Sequence, residues 1–352
     1  MKSSGIAKAH QITEFTDIID VRTPAEFAED HIPGAINFPV LSNEERVQVG
    51  TLYHQSPFEG KKLGAALIAK NIAAHIQEHF IHQPKEWKPL IYCWRGGKRS
   101  GSMTHIMRQI GWNAYILDGG YKAYRRNVVK ELTDLSPQFQ YLVVTGQTGS
   151  GKSKVLEALA EQGAQVLDLE SIANHKGSVL GNIPNSPQPT QKNFESQLLS
   201  VLKNLNQEQV VFIEAESRKI GSLHVPDALL EKMRASPCLK IEASLSARVK
   251  FLQKDYAYFL EDPEELKKTI DFLKELHGKE TLQYWKELID QKNWATLVEQ
   301  LLEKHYDALY RRSQNSNYVN YDQAPNYYTA DLSAKGIQML ATEILKGQTS
   351  SS

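Results

Sequence analysis

The sequence predicts an α/β protein of two domains, the second carrying a helical C-terminal portion, and three observations lead there. At 352 residues the chain exceeds one ordinary hydrophobic core. Short apolar strands alternate with amphipathic helical patterns, as parallel sheets require, and this places reactive loops at the carboxyl ends of strands. Two strands run directly into glycine-bearing loops that open helices: Pro89 to Cys93 into Trp94 to Ser100, and Tyr141 to Thr145 into Gly146 to Ser153.

Taken in order, the strand Thr16 to Arg22 is followed by Thr23 and Pro24, a cap and a first helical residue. His31 to Pro39 supplies a turn and a second strand. Helical patterns follow near Glu44 to Tyr53 and near Leu63 to Phe80, the latter with Leu67, Ile68, Ile72, Ile76 and Phe80 on one stripe. After the cysteine strand, Gly101 to Ile110 reads as a helix with Ser100 as its cap. Asn113 to Asp118 is a further strand, closed by Gly119 and Gly120. Cys93 thus faces a helix N-terminus, and backbone N–H groups, the helix dipole, Arg95, Lys98 and Arg99 all favour the thiolate, which is the nucleophilic form. The same cradle, Trp94, Arg95, Gly96, Gly97, Lys98 and Arg99, suits an oxyanion. Sulfur-group transfer and phosphoryl chemistry both fit it.

A polar break at Thr133 to Pro137 divides the chain into domains at 1–132 and 133–352. Gly146, Gln147, Thr148, Gly149, Ser150, Gly151, Lys152 and Ser153 form a P-loop between a strand and a helix reaching about Gln162. Its backbone N–H groups close on phosphate oxygens, Lys152 adds a point charge, and the Ser153 hydroxyl can reach magnesium. The strands Gln165 to Leu169 and Gln209 to Glu214 present Asp168 and Glu214 as metal-orienting candidates, with Glu170 and Glu216 beside them. A structural ion pair of Glu214 with Arg218 reads equally well. The polar loops at 175–184 and 187–192 are either a cover over the phosphates or plain connectors. A helical insertion around 262–312 carries the stripe Leu297, Val298, Leu301, Leu302, His305 and Leu309. Tyr328 to Leu332 and a last helix close the second domain.

Lys and Arg together number 41, as do Asp and Glu, so a polyanionic partner needs a local patch. Candidate patches for a nucleic acid are Lys122, Arg125 and Arg126; Arg218; and Arg311 with Arg312. Tyrosines between Tyr310 and Tyr328 suit either base stacking or anchorage of a long loop. Two cysteines exclude a disulfide framework, no metal-cluster spacing is present, and no stretch reaches the ~18 apolar residues of a membrane span. Met1 to His10 lacks an apolar signal core. The expectation is a cytoplasmic protein, without membrane contact and without a tightly bound cofactor.

Asp20-Val-Arg22, Glu26-Phe27, His31 to Asn37, the cysteine loop and Leu117 to Gly120 together resemble a rhodanese domain, over about the first 130 residues. Cys93 and Arg99 are separated by five residues, however, where the commoner sulfur-carrying loop has four. That spacing resembles the phosphatase branch of the fold and implies a bulkier, tetrahedral substrate. Tyr92 stands where that branch usually has histidine. With the P-loop, His175 to Ser178 and Glu216 to Gly221, nearly the whole chain resembles the tRNA 2-selenouridine synthase family. The resemblance implies replacement of the sulfur of wobble 2-thiouridine by selenium from selenophosphate, by way of an S-geranyl group from geranyl diphosphate. It also implies Cys93 in the selenium step, Lys152 and Ser153 on the diphosphate with magnesium optional, the tRNA anticodon stem-loop as partner and a selenophosphate-supplying enzyme upstream. Two sites serving one base are expected to share a cleft, with the base stacked on Trp94 or a loop tyrosine. The rival reading is a Cys-x5-Arg phosphatase or sulfurtransferase fused to a P-loop kinase.

Overall fold

The computed structural model describes residues 5–178, 180–310 and 318–349. It is a mixed α/β structure of two compact units, residues 1–131 with 189–200, and residues 132–188 with 201–352. The return of residues 189–200 to the first unit differs from the single division expected between 132 and 133. Those residues carry no local marker of it: they open an ordinary amphipathic helix, Gln191–Asn204, whose first two residues fall in the stretch 187–192 read as a polar loop.

The first unit is a parallel sheet of β1 (Ile6–Ala7), β2 (Ile18–Asp20), β3 (Ala35–Asn37), β4 (Leu90–Tyr92) and β5 (Tyr115–Leu117) in the order β1-β5-β4-β2-β3. Its helices are α1 (Pro24–Glu29), α2 (Asn43–Gln55), α3 (Pro57–His75), α4 (Lys98–Ile110) and α5 (Gly120–Leu135). Thr23 caps α1 reciprocally with Glu26, and Pro24 takes the first position. Ile19, Val21, Ile72, Ile91, Met103 and Met107 form the core. Asp20 and Arg22 are buried and paired at 2.6 Å, and Arg22 also donates to the Asp30 carbonyl, so this motif braces the sheet.

The second unit has the parallel order β12-β11-β6-β8-β7, from β6 (Gln140–Gly146), β7 (Gln165–Leu167), β8 (Val210–Glu214), β11 (Cys238–Ala243) and β12 (Asn326–Thr329). A short antiparallel hairpin, β9 (Lys219–Ile220) with β10 (Leu223–His224), stands apart. Helix α6 (Lys152–Glu161) follows the P-loop, and α7 (Leu169–Ala173) follows β7. The helix Gln191–Asn204 is α8 and Asp227–Ala235 is α9. Helices α10 (Leu245–Asp255), α11 (Ala257–Glu261), α12 (Pro263–Asp271), α13 (Lys279–Asp290) and α14 (Trp294–Leu301) then build a helical portion with its own core around Phe259, Leu266, Ile270, Trp285 and Leu297. The polar break is absent: α5 continues through Thr133 to Leu135, and its last turn tightens at Ser136–Gln138. Among the described residues no helix is long and apolar enough to cross a membrane.

Candidate active site

The cysteine loop is built from β4 outward. Alternation along the strand sends Tyr92 into the core, where its hydroxyl accepts from the Ile32 N–H at 3.2 Å, and turns Cys93 toward the loop. Tyr92 is therefore a brace. Helix α4 begins at Lys98, three residues earlier than the apolar stripe indicated, with Gly97 as its cap. Ser100 consequently lies in the first turn, its hydroxyl 3.2 Å from the Cys93 Sγ and 3.3 Å from the Gly97 carbonyl. The Gly97 N–H donates to the same sulfur at 3.3 Å. From the other side, the first amides of α5 fasten the loop, Tyr121 N–H to the Cys93 carbonyl at 2.8 Å and Lys122 N–H to that of Trp94 at 3.0 Å. A Cβ on Gly120 would collide with the Cys93 carbonyl oxygen, so this approach requires glycine.

Cys93 is 4% exposed and forms the floor of an open cavity of about 480 Å³ lined by Arg46, Trp94, Arg95, Gly97, Lys98 and Arg99. Arg99 grips Glu26 through two nitrogens at 2.6 and 3.1 Å, and this pairing holds the Glu26 carboxyl below its usual range although burial works the other way. Its charge is thus largely neutralised inside the protein. Arg46, exposed on α2, contributes a cation that sequence reasoning missed, because Glu44-Glu45-Arg46 reads as a solvated helix face. Trp94 already rests one face on Tyr121, ring centroids 5.3 Å apart.

The P-loop lies in a cavity of about 460 Å³ whose wall includes Thr148, Lys152, Ser153, Asp168, Glu170, His175, Lys176, Gly177 and Glu216. Lys152 Nζ donates to the Gly146 carbonyl at 2.9 Å, and Ser153 Oγ donates to Glu170 at 2.7 Å. Gly177, at positive φ, fits against the carboxylates of both Glu170 and Glu216, which a side chain there would displace. Asp168 caps α7 by accepting from Ser171 N–H at 2.7 Å, and burial pushes its carboxyl up. Glu214 is fully buried behind the cavity wall. Its Oε1 accepts from the Glu170 N–H at 2.7 Å, while its Oε2 has no hydrogen-bond partner. Burial, then the neighbouring acids, hold Glu214 well above the usual carboxylate range; Glu216 is raised by burial and Glu170, against the pull of Lys152.

This donor set fits magnesium: a hydroxyl and a carboxylate converge at Ser153 and Glu170, and a buried carboxylate oxygen stands unpartnered behind them. Among the described residues no three acidic, histidine or cysteine side chains form a closed metal cluster, and an ion bound here would take its remaining ligands from phosphate and water. Asp168, Glu170 and Glu216 all reach this cavity and Glu170 bonds Ser153, whereas Glu214 lies behind its wall. The loop His175 to Ser178 is a wall of this cavity. Gly177 N–H donates to His175 Nδ1, which puts the imidazole proton on Nε2, and Lys176 is held by Asp255 at 2.7 Å and by the Tyr256 ring at 4.4 Å.

The basic candidates divide. Lys122 and Arg126 are exposed, whereas Arg125 is ion-paired with Glu195. Arg218 pairs with Asp227 at 3.2 Å, which removes the proposed Glu214–Arg218 pair. Arg311 and Arg312 lie outside the described residues. Tyr318 and Tyr327 are buried and anchor their segment, Tyr318 through the Glu216 carbonyl, while Tyr328 is exposed. His305 is buried against His277 and pushed down to about 4, first by burial, as a packing residue. Leu309, expected on the same stripe, is exposed. Burial pushes the Cys238 thiol up to about 11.

Fold and site together define a rhodanese-like domain joined to a P-loop domain. Residues 4–127 match the rhodanese-like domain, and residues 139–279 match the tRNA 2-selenouridine synthase AAA domain. The chain is 31% identical to the tRNA 2-selenouridine synthase of Sulfurovum sp. over 87% of its own length and 83% of that protein. It is 36% identical to those of Nitrosomonas europaea and Bdellovibrio bacteriovorus, in each case over 68% of this chain, and spans 63% and 64% of their lengths. The chain belongs to the tRNA 2-selenouridine synthase family.

Proposed function

We propose that this chain exchanges the 2-thio sulfur of a tRNA wobble uridine for selenium. The observation that carries the reading is the Cys93 sulfur, which meets two hydrogen-bond donors at the floor of an open bowl whose cations are Arg46, Arg95 and Lys98. Selenophosphate is a tetrahedral anion of matching charge and shape. The Cys93 thiolate attacks its phosphorus, the S–P bond forms as the P–Se bond breaks, and the selenium departs with that electron pair as hydrogen selenide. Water then cleaves the S–P bond. The acid that bonds the loop, Glu26, is tied to Arg99, which disfavours a phosphatase needing a free general acid for its leaving group.

The base is first activated at the other unit. The thione sulfur attacks C1 of geranyl diphosphate, the C–O bond breaks, and the base releases its N3 proton. The P-loop amides and Lys152 stabilise the departing diphosphate. Ser153 and Glu170 would hold a magnesium ion, which supplies further charge neutralisation there. Hydrogen selenide then adds at C2 and the geranylthiol leaves. Lys122 and Arg126 are the exposed cations offered to the anticodon stem-loop phosphates, and a selenophosphate-forming enzyme must supply the donor.

Nucleoside mass spectrometry of 2-thiouridine tRNA, incubated with the protein, geranyl diphosphate and selenophosphate, with each donor omitted in turn, tests this. Without selenophosphate the S-geranyl nucleoside should accumulate; with both donors 2-selenouridine should form. Failure of either nucleoside to form overturns the reading, and phosphate release from an aryl phosphate without tRNA would replace it by the phosphatase–kinase alternative.

A further inference from the structure

The phosphate cavity is not closed on the side of the helical portion. A second, apolar cavity begins where it ends, and Thr148, Ser178, Leu252 and Tyr256 line both. Beyond that junction its wall is aliphatic and aromatic, with Leu180, Phe259, Leu266, Trp294, Val298 and Leu301 contributed by the loop after Ser178 and by α11, α12 and α14. Ser178 marks the doorway, since the hydroxyls of Tyr256 and Tyr306 both bond to it. A phosphate nest that opens into a hydrocarbon-lined groove is shaped for a molecule with a diphosphate head and a short apolar tail.

We infer that this groove receives the prenyl tail of the diphosphate held by the P-loop, and that Trp294 limits its length; the inference rests on the prenyl-donor reading above. Lining residues follow α14 back from Leu302, its C-cap residue four positions before the Tyr306 that bonds the doorway serine, to Trp294 in the first turn. Eight residues of helix advance about 12 Å. An extended chain advances about 1.2 Å per bond, so a two-isoprene tail with seven main-chain bonds reaches about 8 Å and a three-isoprene tail about 13 Å. The shorter fits before Trp294 and the longer meets it. Open space in the groove is about 70 Å³, well under the roughly 150 Å³ of an apolar cavity that accommodates benzene. The tail therefore enters by parting Leu252, Leu260 and Val298, all half-buried.

Calorimetric titrations of the full chain with geranyl diphosphate and with inorganic pyrophosphate test the site. The wild-type protein should bind geranyl diphosphate at least about tenfold more tightly, since burying ~60 Å² of apolar chain already gives that factor. Val298→Trp fills the middle of the groove. It should bring geranyl diphosphate down to the affinity of pyrophosphate and leave pyrophosphate unchanged, the latter also showing that the variant is folded. Trp294→Ala should shift the ratio of farnesyl to geranyl transfer onto 2-thiouridine tRNA at least fivefold toward farnesyl. Equal wild-type affinity for the two ligands, full geranyl affinity in Val298→Trp, or an unmoved chain-length ratio in Trp294→Ala overturns the inference while leaving diphosphate binding at the P-loop intact. Absence of binding by both ligands overturns the prenyl-donor reading itself.

Discussion

The cysteine loop and the P-loop are the same device built twice, a parallel strand ending in a glycine-bearing loop that opens a helix, the arrangement that suits an anion. Their surroundings are opposite in charge. Arg46, Arg95 and Lys98 stand around Cys93, and Glu26 is paired with Arg99. Around Lys152 and Ser153 stand Asp168, Glu170 and Glu216, with Glu214 buried behind them. An anion entering the first nest meets the protein's own cations, whereas a diphosphate entering the second meets carboxylates whose repulsion a magnesium ion held at Ser153 and Glu170 would offset. In the function proposed above, this difference matches selenophosphate to the cationic cradle and the diphosphate ester to the acidic one.

The largest expected effect separates the two nests outright. Cys93→Ala should lower 2-selenouridine formation about a hundredfold or more while leaving the geranylation rate within about twofold. Normal 2-selenouridine in that variant, measured as nucleoside product, would remove the sulfur from the mechanism. Lys152→Ala should do the reverse, lowering geranylation roughly a hundredfold because a preorganised charge at the leaving diphosphate is lost. Chelation of divalent cations should depress geranylation and spare conversion of pre-geranylated tRNA. Equal sensitivity of both steps to chelator would erase the distinction between the sites.

Within the cysteine cradle, the comparison sharpens to Arg46 against Arg99. Arg46→Ala should raise the KM for selenophosphate about tenfold at unchanged melting temperature, the loss of one charge-assisted hydrogen bond to the donor. Arg99→Ala should instead cost about 2 kcal/mol of stability, because Glu26 loses its partner at the start of α1. Steady-state kinetics beside thermal melts distinguish them, and a KM effect confined to Arg99 would reverse the assignment.

Those two arginines also show what the sequence could and could not tell. Both loops were legible because each is contiguous: strand, glycines, cation and helix follow one another, and Thr23 with Pro24 announces α1 from two residues. Arg46 comes from 47 residues before Cys93, on a helix whose local pattern is that of a solvated face. Glu26 bonding Arg99, Glu170 bonding Ser153 and α8 returning to the first unit are likewise contacts between distant stretches, set by packing and without a local signature. Ser100 reads as the cap of α4 and instead lies in its first turn against the Cys93 sulfur, because the apolar stripe of α4 starts three residues after the helix does. The apolar groove was invisible for a related reason: its wall residues read as an ordinary core stripe, and nothing in a linear pattern says that a core has a doorway.

The smallest effect is the most direct reading of the opposed charge. Glu26 is held below the ordinary 4.5 by Arg99, so its contribution to stability is complete above about pH 4.5 and is lost as pH falls through its lowered value. Glu214 is raised by burial and by Asp168, Glu170 and Glu216, so the folded protein binds a proton that the unfolded chain releases. Its contribution is complete below about 4.5 and is lost as pH rises through the folded value. Thermal melts should therefore decline from about pH 5 toward pH 8, by at most about 1.4 kcal/mol per pH unit for this group, or a few degrees. Glu214→Gln preserves an acceptor for the Glu170 N–H and should flatten that decline. Magnesium with pyrophosphate should flatten it in the unaltered protein, because a cation among the carboxylates favours their ionised form. A slope indifferent to both would mean that the acids behind the P-loop are not coupled to what the loop binds.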